Sequence, residues 1–312
     1  MQAIIALYKE GNLKISLQKA LKLKKVYPRN PDVLNVLGII YRSLKKWELS
    51  LAEYNKILEE FPDNTTYLNN KGNVLRDSGR LHDAEKAYKR AVELKPNNSI
   101  YWCNLSKVYN DSQLFIQAEH AANQARRISP LNVEALNNLG LALEGQHKFK
   151  PALSIYQEGF SIAPNNAAIN NNLGNLFFKL SNFDAAIWHI KKSISIKPSS
   201  VTAHYNLCEL YEKTNNIKKL TATVSKALIE TNNDPQIRLK KGQLEFRKKD
   251  YKKSIITLQS IPESEIPKAR RSVLFEILGK SFDYCKSYNE AFYYFKKMNS
   301  IFSESLKSSS VQ

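Results

Sequence analysis

Cysteine, glycine and histidine are scarce in this chain of 312 residues, and each scarcity excludes a kind of site. Cys103, Cys208 and Cys285 are odd in number and far apart, so they form neither a disulfide framework nor a metal-type pair. Ten glycines leave few for phosphate-binding loops, and five scattered histidines leave few for metal chemistry. We therefore expect a protein of the reducing cytoplasm with no metal ion and no organic cofactor.

Long apolar runs are missing as well. No window approaches the roughly 20 apolar residues that cross a bilayer, so we expect no membrane span. The segment Met1–Ile5 lacks a basic leader, which disfavours a secretory signal. Positive charge, by contrast, is abundant: the net charge is +18, and residues 235–312 hold sixteen cationic and eight acidic residues.

A period of 34 residues organises the chain. One set of prolines follows it without interruption: Pro28, Pro62, Pro96, Pro130, Pro164 and Pro198. Glycines keep the same period at another phase: Gly38, Gly72, Gly140, Gly174 and, two periods later, Gly242. A fixed period of this length is the signature of a repeat architecture.

Each period reads as two helices. Leu34, Leu37 and Tyr41 recur at helical spacing, and a second apolar stripe follows around Tyr54 before Pro62 stops it. One helix pair cannot bury its own stripe, but pairs stacked in a row can. The sequence therefore predicts an all-α protein built from stacked helix-turn-helix units.

One block carries a family resemblance in full, through Leu136, Leu139, Gly140, Leu143, Ala152, Tyr156 and Pro164. This pattern resembles the tetratricopeptide repeat, which implies a right-handed superhelical solenoid. We expect a partial repeat over residues 1–30, six blocks over 31–234, and two more over 235–305. A register shift near 262–271 is read either as a hinge or as a longer turn, and a disordered tail is expected over 306–312.

Asparagines form a further column at this period, here called the asparagine ladder: Asn70, Asn104, Asn138, Asn172 and Asn206. They lie on the first helix of each block, about 200° around from the glycine position, and so away from the second helix. Amide side chains pair a donor with an acceptor, as a peptide backbone does. The column resembles the ladder of O-linked N-acetylglucosamine transferase, which implies peptide binding in a concave groove. A structural role between helices is the alternative.

Neighbouring residues extend this predicted peptide site. Asn73 and Asn175 stand three residues after ladder asparagines, and Lys240 stands at the ladder phase two blocks after Asn172. Asn175, Asn206 and Lys240 fit three positions of the carboxylate clamp that some repeat proteins use on acidic tails. Asn171 and Gln236 stand where that clamp has basic residues, so the clamp is incomplete.

The chain ends resemble the repeat regions of bacterial proteins that carry a sulfotransferase or glycosyltransferase domain, through Leu7–Gly11, Asn69–Arg76 and Phe275–Ser281. The donor-binding loop of such a domain is absent. We therefore predict a non-enzymatic scaffold that binds protein or peptide segments. Two hypotheses remain open: the recruiting arm of a separate sulfotransferase, and an adaptor for nucleic acid or an acidic surface through basic residues 240–271. Nucleic acid is disfavoured because the basic clusters lack interleaved exposed aromatics, and no oligomeric state is indicated.

Overall fold

The computed structural model describes the backbone of residues 1–309 and the side chains of residues 1–301. Over this part, the chain has eighteen α-helices, one short 3-10 turn and no strand. The prediction of an all-α repeat solenoid is confirmed. No helix in the described part is long and apolar enough to cross a membrane.

Two compact units divide the chain, Met1–Pro164 and Asn165–Gln312. The helices of the first unit are α1 (Gln2–Lys9), α2 (Leu13–Val26), α3 (Pro31–Ser43), α4 (Trp47–Glu60), α5 (Thr65–Asp77), α6 (Leu81–Leu94), α7 (Ser99–Asp111), α8 (Phe115–Ile128), α9 (Val133–Gly145) and α10 (Phe149–Ile162). Those of the second are α11 (Ala167–Lys179), α12 (Phe183–Ile196), α13 (Val201–Lys213), α14 (Ile217–Glu230), α15 (Pro235–Arg247), α16 (Tyr251–Gln259), α17 (Lys268–Tyr284) and α18 (Tyr288–Ser309). Each odd-numbered helix is the first helix of a pair.

The first helices begin at polar caps that repeat every 34 residues. In the first unit these caps are Asn30, Asn64, Asn98 and Asn132. The side chain of Asn64, for example, accepts hydrogen bonds from the backbone amides of Thr66 and Tyr67. Such a cap satisfies amides that have no partner inside the helix, so the helix start is fixed by sequence.

Glycine marks the closest contact inside each pair. A Cβ at Gly72 would collide with the ring of Tyr88, and Gly140 meets Tyr156 in the same way. Both tyrosines are fully buried. The periodic glycines therefore act as recesses that let an aromatic ring of the second helix lie across the first.

A left-handed residue closes the turn within the pairs. Glycine takes this conformation at Gly11 and Gly79, whereas Lys45, Gln113, Ser181 and Lys249 adopt it without being glycine. The left-handed region costs an L-residue about 1–2 kcal/mol. The glycine pattern in the sequence does not reveal this position, because only two blocks have glycine there.

The second unit departs from the regular pattern at two places. Asn232 and Asn233 are both left-handed where the earlier blocks have proline. Farther on, α16 has 9 residues and α17 has 17, and a 3-10 turn, Glu263–Glu265, lies between Pro262 and Pro267. The register shift expected near 262–271 thus corresponds to this turn, while hinge motion there stays a prediction.

The ends of the chain also differ from a regular block. The helix α1 has 8 residues where α3 has 13, in the segment expected to be a partial repeat. The helix α18 continues to Ser309, so residues 306–309 of the expected tail are helical. The rest of that tail, 310–312, lies outside the described residues.

Candidate functional site

The ladder asparagines of the first unit link successive first helices. Asn70 donates its amide Nδ2–H to Asn35 Oδ1 at 3.1 Å, and Asn104 donates to Asn69 Oδ1 at 2.7 Å. Asn138 donates instead to the backbone carbonyl of Cys103 at 3.1 Å. In every case the acceptor lies 35 residues earlier, so one amide proton of each asparagine is committed to the preceding block.

The same bond recurs in the second unit. Asn206 donates to Asn171 Oδ1 at 3.0 Å, and Asn171 donates to Asn172 Oδ1 at 3.3 Å. Asn172 and Asn175 are half-buried, and neither is without a partner. The structural alternative weighed for the ladder therefore has a direct geometric basis, although a bonded amide retains further hydrogen-bonding groups.

The ladder positions differ in exposure. Asn138 is 2% exposed, whereas Asn70 and Asn104 are half-buried. Asn138 therefore cannot reach a partner from solvent in this conformation. The spacing in sequence is identical at these positions, so the difference arises from what lies in front of each side chain.

Asn70 and Asn73 form the clearest candidate pair. The buried hydroxyl of Tyr88 crosses the pair beside Gly72 and donates to Asn73 Oδ1 at 2.8 Å. Burial raises the pKa of Tyr88, so the hydroxyl stays protonated and can donate. Among the described residues, no group bonds the amide nitrogen of Asn73 or the amide oxygen of Asn70. One turn of α5 thus presents an unused donor beside an unused acceptor.

Lys240 occupies a different environment from the one the sequence suggested. Its side chain is 3% exposed and its ammonium pairs with Glu209 and, at 2.9 Å, with Glu212. The ammonium also lies 4.7 Å from the ring centroid of Tyr205. Burial lowers the pKa of Lys240, but Tyr205 and both carboxylates outweigh this and raise it. Lys240 is therefore a buried, neutralised cation that cannot reach an incoming carboxylate.

Sequence reasoning missed the cation stacked above this cluster. The guanidinium of Arg270 lies 3.6 Å from the ring centroid of Tyr205 and donates to Gln236. Arg270 stands 34 residues after Gln236, so the period itself could have paired them. The result is a cross-block contact in the second unit rather than an open clamp.

Two cavities of similar shape lie on the side of the second helices. One, of about 420 Å³, is lined by Trp102 in the first unit, and one of about 370 Å³ is lined by His204 in the second. Trp102 Nε1–H donates to the carbonyl of Pro96 at 2.7 Å, and His204 Nε2 lies 2.9 Å from that of Pro198. The two rings thus have the same structural role in their blocks.

The described residues offer no assembled catalytic chemistry. No group of three His, Cys, Asp or Glu side chains within them could hold a metal ion. Burial raises the pKa of the Cys103 and Cys208 thiols to about 12, so both are neutral thiols rather than nucleophiles.

Family models described as tetratricopeptide repeat match residues 2–65, 66–98 and 167–200. These segments are therefore tetratricopeptide repeats, as the sequence predicted. A search of curated proteins gives no match to this sequence.

Solved structures show the same fold at low identity. A tetratricopeptide repeat protein from Parabacteroides merdae ATCC 43184 has TM-score 0.64 and 16% identity, covering 81% of this chain and 98% of its own. A human IFIT1 dimer with PPP-AAAA has TM-score 0.60 and 16% identity, covering 96% and 81%. A chain of the APC/C hetero-tetramer Cut9-Hcn1 has TM-score 0.61 and 17% identity, covering 86% of this chain. This chain spans only 52% of it.

Proposed function

We propose that this chain of tetratricopeptide repeats is a non-enzymatic scaffold that binds a peptide segment along the first helices of its units. The coarse part, a role in protein interaction, is what such a repeat fold supports. The observation that carries the finer part is the pair Asn70 and Asn73. Their unused acceptor and unused donor match the N–H and C=O of a peptide group.

Anchoring makes this pair suited to binding. Asn70 is fixed by Asn35, and Asn73 is fixed by the hydroxyl of Tyr88. A side chain that is already held loses little conformational entropy when it binds a ligand. Each net hydrogen bond contributes about 0.5–1.5 kcal/mol, so two give a weak grip of sub-millimolar affinity at best. Affinity beyond that must come from additional contacts or from several bound segments.

Charge on this face favours backbone reading over recognition of acidic tails. Asp77 pairs with Arg42 at 2.6 Å and with Arg76 at 2.8 Å. Lys107 lies 3.6 Å from Glu134. Because these cations already have carboxylate partners, an incoming acidic residue would have to displace one of them. We therefore expect a sequence-tolerant site.

The remaining expectations stay predictions. A cytoplasmic location is proposed from the three free cysteines. The recruiting arm of a separate sulfotransferase is the alternative function, and a co-purified sulfotransferase that loses its substrate when this chain is removed would favour it.

Asn73→Asp tests the proposed function directly. The Asp carboxylate still accepts the Tyr88 hydroxyl but has no amide donor, so the anchor remains and the proposed ligand contact is lost. Two unrelated peptides selected from a random displayed library are titrated by fluorescence anisotropy. We expect both affinities to fall by about threefold to tenfold, the value of one hydrogen bond.

Asn55→Asp on the exposed surface of α4 is the matched control, because it adds the same charge on a second helix. Circular dichroism should show the same helicity for both variants. If Asn73→Asp leaves both peptides unaffected, or if Asn55→Asp weakens them equally, the asparagine pair does not bind the peptide.

A further inference from the structure

Aromatic side chains gather at one edge of the second unit, where the helices of its last two pairs turn. The rings of Tyr251 and Tyr284 are stacked, with centroids 4.5 Å apart and planes 5° from parallel. Phe246 contacts both, at 5.5 and 5.9 Å. Tyr284 is nevertheless 61% exposed, and Tyr288 beyond it is 64% exposed. One face of Tyr284 is thus stacked while much of its side chain remains in solvent.

Cations surround these rings. Residues 246–253 hold five cationic residues and one acidic residue, and Lys286 adds a cation at the next turn. Lys249 and Lys286 have the left-handed conformation that closes these turns. Lys248, Lys249, Lys252 and Lys286 are exposed, and none forms an ion pair with any residue that the structure describes. The basic aromatic edge is defined here as residues 246–253 together with Tyr284, Lys286 and Tyr288.

Two acidic residues share this edge without neutralising it. Asp250 caps α16 and pairs with Lys253 at 2.7 Å. Asp283 is exposed and adjoins Tyr284. Arg247 is held by Asn215 at 2.7 Å. The four lysines without partners therefore still outnumber the acidic groups.

We propose that the basic aromatic edge binds single-stranded nucleic acid, with phosphates beside the lysines and a base stacked on the open face of Tyr284. Every base has a π-face, and its stacking on an aromatic side chain tolerates any sequence. Lysines near the backbone release counterions, which adds a salt-dependent attraction. The nearly parallel tyrosine pair continues naturally into a base stack, whereas a peptide or a lipid headgroup has no planar group to extend it.

This site is independent of the proposed peptide site. It lies at turns of the second unit, whereas Asn70 and Asn73 lie on a helix of the first. The absence of interleaved aromatics, which disfavoured nucleic acid in the sequence, does not hold in three dimensions. Tyr251 and Tyr284 are 33 residues apart and meet only in the folded chain.

The test uses the full chain and fluorescent oligouridylate and oligothymidylate of about a dozen nucleotides, titrated by anisotropy at several salt concentrations. Tyr284→Ala should weaken binding about 5-fold to 100-fold, the range for loss of one stacked base. Tyr284→Phe keeps the ring and should stay within about twofold. A preference between the two oligonucleotides distinguishes RNA from DNA as the ligand.

Charge variants test the second part of the site. Lys248→Gln with Lys252→Gln should make the salt dependence shallower by about 1.4 in log–log slope, since two phosphate contacts are lost. Lys45→Gln is the matched control, because Lys45 has the same left-handed turn position in the first unit as Lys249 in the second. It should change neither affinity nor slope.

Several outcomes would overturn the proposal. No binding of either oligonucleotide would do so, as would equal affinity for a duplex of the same sequence. Binding that falls with salt but ignores Tyr284→Ala would assign the edge to unspecific polyanion attraction. Binding of anionic phosphatidylserine vesicles that neither oligonucleotide displaces would assign it to a membrane surface.

Discussion

The two units stabilise similar helix pairs with different side chains. In the first unit, Gly38, Gly72 and Gly140 each receive a tyrosine ring from the second helix. In the second unit, the equivalent partner is Ile190 for Gly174 and Leu258 for Gly242. A tyrosine carries a hydroxyl through the pair, and an aliphatic side chain does not.

The hydroxyl decides where the polar contacts lie. In the first unit, Tyr88 reaches Asn73, and Tyr156 reaches Glu144 at 3.2 Å on the first helix of its own pair. In the second unit, Lys240 and Arg270 instead join different blocks around Tyr205. The first unit therefore has anchored polar side chains on its first helices, while the second places its strongest polar contacts between blocks.

Tyr88→Ala should give the largest loss, because it removes both the ring beside Gly72 and the anchor of Asn73. Truncating a buried aromatic side chain costs about 3–5 kcal/mol. We expect urea unfolding to show this loss, and hydrogen exchange to open residues 65–98 before the rest of the first unit. Tyr88→Phe should cost only about 0.5–1.5 kcal/mol, since only the hydrogen bond is lost. Equal losses in both variants would contradict the contribution assigned to the ring.

Lys240→Ala should destabilise the second unit by about 1–3 kcal/mol. Removing a buried cation leaves its carboxylates unpaired, but partial exposure of Glu209 and Glu212 reduces the cost. Because the pKa of Lys240 is raised, the contribution is complete below the ordinary lysine pKa of about 10.4 and lost as pH rises through the raised value. Chemical denaturation between pH 6 and 9 should therefore show a constant difference from the wild type. A difference that disappears by about pH 9 would contradict this.

Asn138→Ala should cost about 1–3 kcal/mol, since the carbonyl of Cys103 loses its buried donor. The half-buried Asn104 should cost less, about 0.5–1.5 kcal/mol, because solvent can replace its bond to Asn69. Thermal unfolding of the two variants compares a buried with an accessible ladder position. A larger loss at Asn104 would reverse the assignment of which position is structural.

Ser181→Gly should give the smallest effect, a gain of up to about 1 kcal/mol. Ser181 is left-handed with φ of 60°, and glycine adopts this conformation without strain. Gly79→Ala in the first unit should produce a loss of about 1 kcal/mol for the same reason. Melting temperatures that move in the same direction for both variants would contradict the strain assigned to this turn.

The sequence predicted the helix pairs well because the period fixes them. Proline and glycine keep their spacing through the regular blocks, and the helix starts follow the same period in Asn64 and Asn98. The first-helix location of the ladder follows from that spacing too. These features depend on contacts inside one block, which a repeated sequence specifies locally.

The side-chain partners could not be predicted in the same way. Asn104 finds an asparagine, Asn69, at the position 35 residues earlier, but Asn138 finds Cys103 there and turns to its carbonyl. Tyr251 and Tyr284 meet because the segment after α16 shifts the register by a 3-10 turn. Both outcomes depend on the neighbouring block rather than on spacing.

The ladder bonds also bear on how the first unit assembles during synthesis. Each donor, such as Asn104, bonds an acceptor 35 residues nearer the amino terminus, so the acceptor has already left the ribosome when the donor emerges. No block of this unit needs a later segment to satisfy its ladder asparagine. Contacts over such short separations form fast, because little loop entropy is lost before they close. The first unit should therefore grow block by block from its amino-terminal end as the chain is made.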